Sequence, residues 1–239
     1  MTQHQLQGRT EKEVTWYQRR DVIKAAAAWT AMGGLATVQA QQRSNVVQQI
    51  GDALLNGQRL LPGQTIQTGD QIQTGPGSSM IFALGNASFL VRQNSTMNVG
   101  RGATINAVSL LRIVTGAVAS VWNKGGSRSI ITPTLTAGIR GTGVYAEVIP
   151  NQDGRTYFCN CYGTVDLNAG GSKLVSQADY HQSFFAEATP KDGTRLTPTG
   201  YLNHTDAEQE FLAQLIGQRT YWQIVGRKGL GDGRGNIGY

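Results

Sequence analysis

Cysteine, histidine, proline and charge are all scarce in this 239-residue chain, and each scarcity removes a class of protein. Two cysteines, Cys159 and Cys161, cannot build the multi-bridge framework of a small disulfide scaffold. Charged residues make up 15%, and the formal charge of +6 is scattered without a Lys/Arg run among aromatics, which argues against a nucleic-acid surface. No apolar run approaches the ~20 residues of a spanning helix. Catalytic signatures are missing as well. There is no Gly-x-Ser-x-Gly elbow, the glycine-rich segments do not open a helix as a phosphate loop would, and Glu187 and Asp192 lack a second carboxylate in pairing register. The chain therefore reads as a non-enzyme.

What is present is glycine, 31 residues of it, with many glutamines, threonines and asparagines. Between Ile50 and Val99 turn signals such as Asn56-Gly57, Pro62-Gly63 and Gly85-Asn86 separate short runs: ALL, TIQT, QIQT, MIFAL and SFLVRQ. Strands of four to six residues joined by tight turns predict an all-β body, a compact sandwich or roll. A second set is predicted over 109–121, 129–131, 143–149, 156–162 and 164–167, with hairpin turns at Asn151–Gly154 and Ala169–Ser172. The stretch 173–182 reads as the last paired strand and Pro190 to Gly200 as a loop. The period then changes. Thr205 and Glu208 form a capping box, Phe211, Leu212, Leu215 and Ile216 fall on one helical face, and Gly217 is placed to end a helix over about 205–217. Tyr221-Trp222 behind it suits core packing better than a partner contact. The tail from Arg227 has no apolar period and reads as disordered.

The N-terminus carries an address. Arg19-Arg20, one spacer, Val22-Ile23 and Lys24 resemble a twin-arginine export signal, followed by a short apolar stretch and small residues up to Ala40, where cleavage is expected. The expected division is thus a signal peptide over 1–40, a β domain over 41–186, a C-terminal extension over 187–226 and a tail over 227–239. The expected location is the periplasm, or secretion, with no spanning segment after signal removal.

Several motifs together resemble the FecR-like domain, the periplasmic module named for ferric-citrate signalling regulators. They are the turns Thr68-Gly69-Asp70 and Thr74-Gly75, and the block from Thr132-Pro133 to Arg140-Gly141-Thr142-Gly143. The likeness runs over about residues 50–167. It implies an all-β domain that binds proteins in the cell envelope rather than one that catalyses. The best-known members carry a cytoplasmic anti-sigma segment and a membrane helix. Only 18 residues precede the arginine pair here, so a stand-alone exported version is expected, and a membrane-anchored sigma regulator ranks behind it.

Cys159 and Cys161 lie on one face of a predicted strand, with Asn160 opposite. Their Cα atoms would be about 6.5–7 Å apart, at the far end of disulfide geometry, so a bridge needs a local kink. Two thiols side by side can bind one soft metal, zinc or another thiophilic ion. His181 and His204 are the only histidines beyond the signal region, and the wide spacing matches no local metal signature. His204 precedes the helix cap, where the positive helix end favours the neutral, ligating ring. Asp206 or Asp179 could serve as an oxygen ligand instead. A metal site, a redox pair and buried structural thiols all remain open at this point.

Overall fold

The computed structural model describes residues 44–226; the expected signal segment with Arg19, Arg20, Lys24 and Ala40, and the glycine-rich tail, lie outside them. The described residues form fifteen strands and two short helices, an all-β fold as expected. The strands make two sheets that share two long members. The first sheet runs β1 (Val46–Ile50), β5 (Ser79–Leu84), β6 (Ala87–Val91), β8 (Leu110–Trp122), β11 (Gly143–Val148), β12 (Thr156–Ala169), β14 (Gln182–Lys191) and β15 (Thr194–Thr199). The second runs β3 (Gln58–Arg59), β2 (Ala53–Leu55), β4 (Gln71–Thr74), β7 (Thr96–Val99), β8, β9 (Arg128–Ile131), β10 (Thr136–Ile139), β12 and β13 (Ser172–Ala178).

Strands β8 and β12 change sheet at a glycine. Leu110–Thr115 pairs in the second sheet and Gly116–Trp122 in the first. Thr156–Tyr162 pairs in the first and Gly163–Ala169 in the second. Gly116 has φ +76° and Gly163 φ +95°, left-handed values that side-chain-bearing residues adopt only under strain. A Cβ on Gly116 would also lie 2.2 Å from the Ser95 hydroxyl, and one on Gly163 2.9 Å from the Gly141 carbonyl. These two corners close a ring, β8–β11–β12–β10–β9, with β9 returning to β8 in parallel. The result is a closed five-stranded barrel with outer strands.

Alternation along the first sheet divides its side chains between two cores. Phe82, Phe89, Val91, Val118, Trp122, Val144, Ala146 and Phe158 point inward to the main core between the sheets. Ile81, Leu90, Ala119, Val121, Tyr145, Tyr157, Cys159 and Cys161 point outward to a second cluster. That outer face is covered by the C-terminal segment, α1 (Asp206–Leu215) and α2 (Tyr221–Val225), through Phe211, Leu212, Ala213 and Trp222. Every residue of β6 and β11 is consequently buried.

Sequence and structure part at the C-terminal end of the β body. The stretch 173–182 is not the last strand, and 190–200 is not a loop: β14 and β15 form a further hairpin. Its turn, Asp192-Gly193, has positive φ at both residues. The prolines that suggested a loop are tolerated. Pro198 lies on the edge strand β15, where a missing N–H costs no ladder bond, and Pro190 falls where the β14–β15 register is broken. The expected boundary at 186/187 therefore cuts β14. TIQT, also read as a strand, forms none, although Ile66 is fully buried like Ile72. The capping box at Thr205 and Glu208 is present, and Gly217 follows α1 at φ +68°.

Candidate metal centre

Cys159 and Cys161 are brought to one face by two-residue periodicity in β12, with Asn160 turned the other way. Just beyond them, the Thr142 hydroxyl donates to the Tyr162 carbonyl and meets Asn160 Oδ1 at 3.0 Å, bracing the strand before its corner. His181 enters from the β13–β14 connection. Its backbone sits at φ +21°, an uncommon value for a non-glycine residue, and its N–H donates to the Cys161 carbonyl at 2.9 Å. His204 enters from the segment between β15 and α1, one residue before the Thr205 cap.

The four side chains converge. Cys159 Sγ lies 3.4 Å from His181 Nδ1, Cys161 Sγ 3.2 Å from His204 Nε2, and the two sulfurs are 3.9 Å apart. All four donor atoms fall within 4.8 Å of one another, and all four residues are buried. A tetrahedral zinc site with Zn–S of about 2.3 Å and Zn–N of about 2.0 Å has sulfur–sulfur edges of ~3.8 Å and sulfur–nitrogen edges of ~3.5 Å. The three close separations match those edges. The sulfurs are far beyond bonding distance, so both thiols are free, as the extended strand predicted.

Each imidazole is oriented by its other nitrogen. His181 Nε2 lies 2.9 Å from Asp206 Oδ1, and His204 Nδ1 lies 2.7 Å from the Leu202 carbonyl. With protons on those outer nitrogens, the lone pairs of Nδ1 and Nε2 face the sulfurs. This is the arrangement by which ligating histidines are held ready. Asp206 accepts from Tyr180 Oη as well, at 3.0 Å, and so orients His181 rather than joining the donors; Asp179 is exposed and does not take part. Aromatic rings enclose the pair. Tyr145 stacks on His204 at 4.6 Å, Tyr201 lies 4.2 Å from His181 and 4.4 Å from His204, and Trp222 lies 5.4 Å from His181.

Protons in the metal-free site are distributed unequally. Burial opposes a thiolate at Cys159, but the hydrogen bond from Cys161 and the two imidazoles bring its pKa well below the ordinary thiol value. Burial and the neighbouring Cys159 push Cys161 well up. Burial also works against charge on His181, yet Cys159 and Asp206 raise it to about 9. The neighbouring charges thus favour the thiolate at Cys159 and the proton on His181. An ion would displace that proton and take the place of the positive charge. A nucleophilic role is disfavoured because both sulfurs are wholly buried.

The remaining sequence motifs do structural work. Asp70 accepts from the Gln67 amide and from Asn56, fixing the Thr68-Gly69-Asp70 turn. Thr74 bonds to the Arg92 carbonyl, with Gly75 beside it in the β4 turn. The Thr132 and Thr156 hydroxyls meet at 2.7 Å next to the Pro133 turn. Arg140, just past the end of β10, pairs with Asp166 of β12 at 2.8 and 2.9 Å on the surface. Gly143 leaves room for Tyr162 and for Gln209 of α1. Glu187 pairs with Arg155 and Lys191, and Asp192 sits in the β14–β15 hairpin turn. Sequence reasoning overlooked Leu202, Tyr145 and Tyr201, which no spacing rule connects to the cysteines.

No protein-family model and no curated protein matches the chain. Two crystal structures of a candidate anti-sigma factor from Parabacteroides distasonis are similar in part, at 13% and 15% identity and a TM-score of 0.45 each. Each similarity covers 62% of this chain, and the chain spans 65% and 64% of those proteins' lengths. A likeness at that level carries no argument about function. Among the described residues no helix is long and apolar enough to cross a membrane.

Proposed function

We propose that this protein is a non-enzymatic β module of the cell envelope that holds one thiophilic metal ion, zinc by its donor set, between Cys159, Cys161, His181 and His204. The observation that carries the reading is the meeting of four buried donors within 4.8 Å, with three of their separations at tetrahedral edge lengths and both histidines oriented by Asp206 and Leu202. Four protein ligands leave no open position, which suits a structural or sensing metal rather than a hydrolytic one. The envelope setting, the FecR-like kinship and a protein partner are supported by the twin-arginine signal and by the Thr68–Gly75 and Thr132–Gly143 motifs. A twin-arginine route would carry the folded, metal-loaded chain outward. A sigma-regulating transducer stands behind this reading.

Native mass spectrometry of the purified full chain, with elemental analysis, tests the metal. One zinc per chain is expected, lost in Cys161→Ser and in His204→Ala. A chain with two reactive thiols and no metal after zinc is offered under reducing conditions would overturn it. The second reading, a thiol–redox pair, rests on the 3.9 Å separation of the two sulfurs. It predicts a metal-free chain lighter by two hydrogens.

A further inference from the structure

We infer that the metal centre is the latch of the C-terminal segment: closure of the site and docking of α1 and α2 onto the outer sheet face are one coupled event, so the ion exchanges only when that segment lifts. This deepens the metal-site reading and rests on it. The four ligands come from two separable parts. Cys159, Cys161 and His181 belong to the β body, whereas His204 belongs to the segment that follows β15. The same segment supplies Asp206, which orients His181, and Tyr201 and Trp222, which pack against its ring. Without that segment the body would present a three-ligand, half-open site, with the sulfurs uncovered.

The segment is tied to the body by bonds outside the metal site. Arg92 on the sheet binds Glu208 through both carboxylate oxygens, at 2.7 and 2.9 Å, and the Asn203 carbonyl at 3.0 Å. The Ser88 hydroxyl donates to the Leu212 carbonyl at 2.7 Å, and Gln209 donates to the Val144 carbonyl at 3.3 Å. Phe211 and Leu212 are buried in the outer cluster. With the ligands only 0–3% exposed beneath this cover, the docked segment shields the ion from solvent. Opening is therefore the step through which metal enters and leaves, and a bound ion in turn holds the segment down.

The test measures zinc release from the full chain to a chromophoric chelator, alongside hydrogen exchange with and without zinc. Phe211→Ala removes a packing contact of the segment without touching a ligand. Coupling predicts one zinc per chain in the variant but release at least about tenfold faster than in the wild type. Ser88→Ala, which deletes a single tether, should speed release about fivefold and serves if Phe211→Ala does not fold. Zinc should add exchange protection across residues 201–226 as well as at the β12 ligands. One zinc per chain with release and protection of 201–226 unchanged would overturn the latch and leave the metal site standing. No zinc in any form of the chain would overturn both.

Discussion

The two faces of the first sheet carry cores of opposite character. The inner core is made of aliphatic side chains and the rings of Phe82, Phe89, Trp122, Phe158 and Phe184, with Phe82 and Phe89 stacked at 4.8 Å and Trp122 edge-on to Phe89 at 5.2 Å. It needs only shape, because burial of apolar area is non-directional. The outer core mixes tyrosines, two thiols and two imidazoles with a buried carboxylate, Glu147, and the Arg92–Glu208 pair. Most polar groups there are held by partners of fixed geometry, since an unpaired buried group costs more than a pair returns. The inner core therefore asks only for complementary volume, drawn from strands between Ala53 and Leu196. The outer one is complete only when a segment some 40 residues further along arrives with His204, Asp206 and Glu208.

The sharpest separation of the two comes from deletion on the inner side. Phe89→Ala should lower stability by about 4 kcal/mol through a cavity between the sheets, measured by denaturant unfolding. The folded variant should still hold the same metal stoichiometry. Loss of metal with the inner side alone perturbed would show that the faces are one unit.

A smaller loss is expected on the outer side from Arg92→Met, about 3 kcal/mol, because Glu208 is left buried without its guanidinium. Pairing it with Glu208→Leu should recover much of that loss, and a double-mutant cycle reads the coupling.

The smallest effect belongs to Glu147. Burial holds its carboxyl above the ordinary range, although hydrogen bonds from Asn203 and Tyr145 and the nearby Arg92 act the other way. A carboxyl raised on folding binds its proton more tightly in the native state. Its contribution is then most favourable below the unfolded value near 4.5 and declines as pH rises through the folded value. Glu147→Gln should therefore flatten that decline and change stability at pH 7 by less than about 1 kcal/mol. A steeper loss of stability above pH 5 in the variant would contradict this.

Much of the fold could be read from local pattern. Alternating runs gave most strands, Asn151–Gly154 and Ala169–Ser172 gave their turns, and Thr205 with Glu208 gave the helix start. The β14–β15 hairpin was hidden by Pro190 and Pro198, whose cost depends on whether a strand is an edge, a property of the sheet and not of the residue. TIQT failed for a related reason: Ile66 is buried with its amide held by Asn45 and no strand beside it. Of the centre, the residue types were legible but the meeting was not.

The sequence by itself determined that the body is all-β, that Cys159 and Cys161 share one face of a strand, and that a capped helix follows His204. These depend on periods of two and 3.6 residues and on neighbours within a turn. Only the tertiary structure decided that His181 and His204 come to that face, and that Asp206 and Leu202 aim their rings. Such convergence depends on two strands changing sheet at Gly116 and Gly163 and on the C-terminal segment folding back over the outer face. No local pattern encodes a distance between residues 43 positions apart.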